Sequence, residues 1–192
     1  MLRLRSQTPA LWTEIVQRDL DTFLRDHAHN ERKVSQSALA LAKDNPHRVE
    51  LTDAMVELAT EELDHFRQVY ARLRERGVTL GFDQPDPYMT AMRKLCRKSD
   101  TDEYLLDRLV VFAIVEARGF ERFHMMGEAL PTEDPLKGFY QDIARSEAQH
   151  RALFLRLAKR FFPEDAVSAR LDALLDEEAR ILAILPLRAA VH

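Results

Sequence analysis

Glu147-Ala148-Gln149-His150 is the stretch on which the fold turns, because Glu62-Leu63-Asp64-His65 carries the same pattern earlier in the chain. Residues three apart on a helix lie on one face about a turn apart, so each ExxH aims a carboxylate and an imidazole at one point. A further glutamate precedes each by the same interval, Glu31 before Glu62 and Glu116 before Glu147 (62 − 31 and 147 − 116 both equal 31). The two sets are related by one shift, since 116 − 31, 147 − 62 and 150 − 65 all equal 85. Four glutamates and two histidines in this order are the ligand set of a carboxylate-bridged di-metal site inside a four-helix bundle.

One ExxH alone is weak, being expected about once by chance in a chain with this histidine usage. A third match, Glu121-Arg122-Phe123-His124, makes the point. The surrounding periodicity separates them. Tyr140, Ile143, Glu147, His150, Phe154, Leu157 and Phe161 recur by threes and fours, as do Leu51, Met55, Leu58, Glu62, His65 and Val69. Glu31 falls on the stripe Leu20, Leu24, His27, Val34, Ala38, Leu41, and Glu116 lies between Leu109, Phe112 and Phe120, Phe123. These are the seams of a helical bundle, with carboxylates where apolar residues belong. Burying an ionised carboxylate without a partner costs several kcal/mol. Four on inward stripes need positive charge between them, and two divalent cations supply it. Glu121 points well away from Glu116 at about 100° per residue, and His124 falls on a flank. Both are expected at the surface or beside the ligands, in a supporting or proton-delivering role.

The rest of the chain agrees with an all-α reading: a ferritin-like four-helix bundle with one long crossover and extra terminal helices, a single domain spanning residues 1–192. Five glycines and eight prolines are few, and the prolines fall between periodic segments. A short helix is expected around Trp12 to Arg18, then long helices from Asp19 or Asp21 to Asp44, Arg48 to Arg76, Asp102 to Leu130, and Pro135 to Phe162. Gly77 is placed to end the second of these. The stretch from Val78 to Asp102 is long enough to cross the bundle, and it carries a short basic helix near Tyr88 to Lys98. A last amphipathic helix runs from Pro163 to Leu185, capping the bundle or making an oligomer contact. The net charge of −4 gives no general pull towards nucleic acid or anionic membrane. No apolar run reaches membrane-spanning length, the N-terminus lacks the apolar core of a secretory signal, and Cys96 is alone. A cytoplasmic location and no membrane partner are the expectations.

Carboxylate-rich donors with one imidazole per metal suit iron or manganese better than zinc. The segments Asp26-His27-Ala28-His29-Asn30-Glu31-Arg32-Lys33, Glu61-Glu62-Leu63-Asp64-His65-Phe66, Val115-Glu116-Ala117-Arg118-Gly119-Phe120-Glu121-Arg122-Phe123 and Ser146-Glu147-Ala148-Gln149-His150 resemble the tRNA 2-methylthio-isopentenyl-adenosine hydroxylase family. The resemblance runs from about residue 12 to residue 160. It implies a di-iron centre of two iron ions held by Glu31, Glu62, His65, Glu116, Glu147 and His150. It also implies a reaction in which dioxygen and two electrons from a donor or reductase hydroxylate the isopentenyl group of the adenosine beside the tRNA anticodon. The chain departs from the family pattern at Asn30, where cysteine is expected, and at Val34-Ser35, where Ala-Ala is expected, residues that would line the substrate approach. The competing reading is a bacterioferritin-like iron-oxidising or storage protein, but its haem methionine would stand where this chain has Leu63. A monomer or small oligomer is therefore expected rather than a storage shell. Arg93, Lys94, Arg97 and Lys98 on the crossover form the strongest candidate phosphate contact.

Overall fold

The computed structural model describes residues 2–192, and among these all regular structure is helical: α1 (Leu11–Arg18), α2 (Leu20–Asp44), α3 (Val49–Glu75), α4 (Pro87–Lys94), α5 (Thr101–Ala129), α6 (Pro135–Phe161) and α7 (Glu164–Ile184). The expected boundaries hold to within a residue or two for the long helices. Their ends have local causes. Asp19 caps α2 by accepting from the Thr22 amide, Asp100 caps α5 through Asp102 and Glu103, and Asp134 caps α6 through Leu136, ahead of Pro135 in the first turn. Gly77 follows α3 at φ 71°, a left-handed conformation that costs a glycine little.

Residues are grouped into two compact units, one of residues 14–85 and 188–191, the other of residues 2–13, 86–187 and 192. In the first, α2 packs along α3. Arg76 at the end of α3 reaches Asp21 at the start of α2 (2.6 Å), so the pair is antiparallel. Midway, the Ser35 hydroxyl donates to the Ala59 carbonyl at 2.7 Å. The chain after α3 is tied along α2: Arg25 donates to the Thr79 carbonyl (2.9 Å), and Arg32 and Lys33 share Asp83. Every member of the α3 stripe, from Leu51 to Val69, is buried.

In the second unit α5 pairs with α6, and α7 packs on α4 and α5. An unbroken run of α5 from Leu105 to Gly119 is buried except at Arg108, which makes it the central helix of this unit. Lys137 on α6 donates to the Gly127 and Leu130 carbonyls, closing the C-terminal end of α5. Two charged clamps fasten the outer helix. Asp107 accepts from Arg97 and from Arg170 of α7, and Arg170 also donates to the Leu95 carbonyl at 2.7 Å. Arg118 of α5 pairs with Glu178 of α7 at 2.9 Å, both side chains fully buried. The last helix therefore caps its own unit, one of the two roles anticipated for it.

Two expectations fail in this region. The basic helix ends at Lys94 rather than Lys98. Arg97 is also not a free phosphate contact, because its guanidinium is held by Asp107 and Glu103. Arg93, Lys94 and Lys98 remain exposed.

Candidate metal centre

The α2–α3 pair brings together three of the six expected ligands by itself. Glu31, Glu62 and His65 are all buried, and one ligand atom from each lies within 4.8 Å of the others. His65 Nδ1 stands 3.2 Å from Glu62 Oε2 and 3.7 Å from Glu31 Oε2. One turn before Glu31, the fully buried His27 meets Glu31 Oε1 through Nε2 at 2.6 Å. Burial alone would push the Glu31 carboxyl up, but its hydrogen bonding with Glu62, His27 and His65 outweighs this and holds Glu31 well below the usual range. Burial would likewise lower His65, yet its bonds to Glu31 and Glu62 and their charges raise it to about 10. Without metal, a proton on His65 thus supplies positive charge between the carboxylates.

The α5–α6 pair carries the other half, Glu116, Glu147 and His150, again all buried. Glu116 Oε1 is buried with no hydrogen-bond partner among the described residues. An orphaned carboxylate oxygen in a protein interior costs free energy that a bound cation would offset. Glu147 lies against the bare α-carbon of Gly119, one turn beyond Glu116, so both carboxylates belong to the same stretch of the helix pair. His150 Nε2 is 3.5 Å from the Ser146 hydroxyl. A stacked Phe112–Phe154 pair, with centroids 5.1 Å apart, lies about one turn from these residues along each helix. Both donor sets are therefore buried and carboxylate-rich, and the residue types present fit a hard or borderline divalent metal.

The third ExxH behaves otherwise. Glu121 accepts from the Thr8 hydroxyl (2.6 Å) and pairs with Arg118, while His124 is exposed with its ring stacked on Phe120. Neither is brought together with a ligand within its unit. The Glu116-Ala117-Arg118 … Glu121-Arg122 string instead serves two faces of α5. Glu116 faces the ligand side. Arg118, Glu121 and Arg122 form a buried ionic cluster with Glu178, Tyr88 and the N-terminal arm, in which Arg118 also donates to the Ser6 carbonyl at 2.8 Å. Asn30 braces its own helix, since its amide donates to the Asp26 carbonyl and carboxylate, and Asp26 in turn accepts from the Val191 amide. Sequence reasoning missed Glu178, which reads as one more polar residue of an amphipathic helix. It placed His27 on the seam without a role, although the spacing of four from Glu31 was the available signal.

A family model for the tRNA-(MS[2]IO[6]A)-hydroxylases (MiaE) matches residues 2–192. The chain belongs to this family. It is 35% identical over 176 residues to the tRNA 2-(methylsulfanyl)-N(6)-isopentenyladenosine(37) hydroxylase of Pseudomonas putida, a match covering 91% of this chain and 84% of that protein. The Salmonella typhimurium protein of the same name is 34% identical over 151 residues, covering 79% of this chain and 54% of its own length. Among solved structures, a Synechococcus protein described as having aldehyde deformylating oxygenase activity superposes with a TM-score of 0.91 at 30% identity, covering 98% of this chain and 93% of that one. The fold is accordingly all-α and ferritin-like, as the ligand order anticipated. Family membership favours a hydroxylase over the storage reading, and Leu63, where a haem methionine would stand, is 55% exposed. No helix among the described residues is long and apolar enough to cross a membrane.

Proposed function

We propose that the protein is a dioxygen-dependent di-iron monooxygenase that hydroxylates the isopentenyl group of a modified adenosine next to the tRNA anticodon. Glu31, Glu62, His65, Glu116, Glu147 and His150 would hold two iron ions, with dioxygen and an electron donor as co-reactants and the cytoplasm as the place of work. The observation that carries this reading is the burial of two carboxylates and one imidazole on each helix pair, with the ligand atoms of Glu31, Glu62 and His65 all within 4.8 Å of one another. The substrate class comes from the family and its named relatives. When bound, a reduced iron pair would supply the activation of dioxygen that hydroxylation needs, since a C–H bond beside a double bond is weakened but still demands a strong oxidant.

The chain's own residues then have definable roles. The four carboxylates neutralise the metal charge and favour higher oxidation states. His27, bonded to Glu31 Oε1, fixes the direction of that carboxylate's other oxygen. The apolar stripes around each donor set, such as Met55 and Leu58 on α3 and Phe154 on α6, exclude water. Exposed Arg93, Lys94 and Lys98 are suited to phosphates of the RNA backbone.

Iron content is the direct test of the ligand set. The wild-type protein is expected to bind two irons per chain, and His65→Ala and His150→Ala each to lose iron and stop consuming dioxygen. Full iron occupancy in both variants would remove the assignment. Because the structural neighbour is described as acting on an aldehyde, the activity assay includes an aldehyde arm, and turnover there without turnover on tRNA would redirect the substrate proposal.

A further inference from the structure

Glycine in the middle of a long helix costs stability relative to alanine, so its presence there calls for a reason. Gly119 lies well inside α5, and its backbone supplies none, since only Gly77 and Gly81 among the glycines have positive φ. The reason is space. A Cβ built on Gly119 would lie 3.2 Å from Glu147 Oε2, 3.4 Å from its Cδ and 3.7 Å from its Cγ. The Glu147 carboxylate therefore lies in tight contact with the place where any other side chain would begin, and would have to give by a few tenths of an ångström. The neighbour it would meet is the end of a flexible side chain, which yields by rotating away rather than by moving a helix.

We propose that Gly119 is a positioning residue for Glu147: its bare α-carbon leaves the room in which that carboxylate takes up its metal-holding orientation. The inference rests on the reading of Glu147 as a ligand. The internal repeat makes the arrangement one-sided, because the position 85 residues earlier, equivalent to Gly119, is Val34 (119 − 85 = 34), while Glu147 is equivalent to Glu62. A β-branched side chain is thus accepted at the matching place beside Glu31. The missing side chain is therefore peculiar to the half that carries Glu116, Glu147 and His150.

Gly138 provides the control. It too is a helical glycine, on α6, but a Cβ there would meet nothing within 4 Å. Gly119→Ala and Gly138→Ala both replace a helical glycine with a better helix former, and only the first puts a methyl against the carboxylate. The experiment loads full-length wild type, Gly119→Ala, Gly138→Ala and Glu147→Ala with ferrous iron under anaerobic conditions. It measures irons per chain, the rate of iron loss to a chelator, and the melting temperature of each metal-free protein. Gly119→Ala is expected to melt no lower than wild type without metal, yet to hold fewer than two irons and lose iron at least tenfold faster. Gly138→Ala should match wild type in iron content and release. Shortening the ligand in Gly119→Ala/Glu147→Asp should restore part of the lost iron, since the shorter carboxylate withdraws from the methyl. Equal behaviour of the two alanine variants, or a Gly119→Ala protein that fails to fold without metal, would overturn the proposal. Full iron retention in Glu147→Ala would instead overturn the ligand assignment beneath it.

Discussion

Glu178→Ala should be one of the most damaging single changes outside the metal centre. Arg118 and Glu178 are both fully buried, with Glu178 Oε1 2.9 Å from Arg118 Nη2 and 3.0 Å from its Nε. Together with Arg122 and Glu121 they form a cluster of two cations and two anions. Removing Glu178 leaves one uncompensated positive charge in the interior, and breaking a buried pair from one side costs about 3–5 kcal/mol. Burial, and then the charge of Arg118, already lowers Arg122 to about 10, so the cluster is poorly placed to hold a guanidinium that has lost its carboxylate. For a chain of 192 residues, an unfolding entropy of about 2.1 cal/mol/K per residue gives about 0.4 kcal/mol/K. The melting temperature should then fall by about 7–12 °C. Thermal unfolding followed by circular dichroism at neutral pH measures it. Replacing both partners with apolar residues, Arg118→Met with Glu178→Leu, should recover part of the loss, because no charge is stranded between them. A fall below about 2 °C in Glu178→Ala would refute the idea that this pair is desolvated and needed.

Asp107→Asn tests the other clamp on α7. Burial would raise the Asp107 carboxyl, but hydrogen bonds from Arg97 and Arg170 outweigh it and leave it lowered from 3.8. A depressed carboxylate contributes stability that is present above its unfolded value and lost as pH falls through its folded value. The variant should therefore melt lower than wild type at pH 7, with the gap narrowing below about pH 3.8, and a gap independent of pH in that range would contradict the clamp. Metal uptake should release protons. With His65 raised to about 10, the metal-free protein carries an imidazolium at pH 7–8 that a metal must displace. About one proton per chain should appear in a weakly buffered dye assay, and metal affinity should weaken as pH falls; tight binding with no proton released would be inconsistent with a ligating His65. Removing the charges of Arg93, Lys94 and Lys98 together should weaken tRNA binding and flatten its salt dependence, measured by filter binding across ionic strength. An unchanged salt slope would move the RNA contact elsewhere.

Much of this was legible from the chain. Helix ends are written in single residues: Asp19, Asp100 and Asp134 as caps, Gly77 as a stop. The seams could be read because each candidate ligand replaces an apolar residue on a stripe of period 3.6, and all six of these residues are buried. What escaped were pairings between residues distant in sequence. Arg97 reads as a surface cation until Asp107, ten residues on, is brought beneath it. Glu178 and Arg118 are 60 residues apart on helices whose facing surfaces the pattern does not specify. The basic helix was drawn four residues too long, because Leu95 and Cys96 continue an apolar rhythm after the helical bonds have ended. Glu121 and His124 have ligand spacing without ligand placement: the same three-residue interval serves an ionic cluster on another face of α5.

The most direct test is the mass of a nucleoside. Reduced, iron-loaded protein is supplied with dioxygen and tRNA bearing the unhydroxylated isopentenyl adenosine, and the RNA is digested and analysed by mass spectrometry. A gain of one oxygen atom on that nucleoside is expected, absent when Glu116→Ala replaces the wild type. An unchanged mass from a protein that holds two irons and is fully reducible would contradict the proposed function.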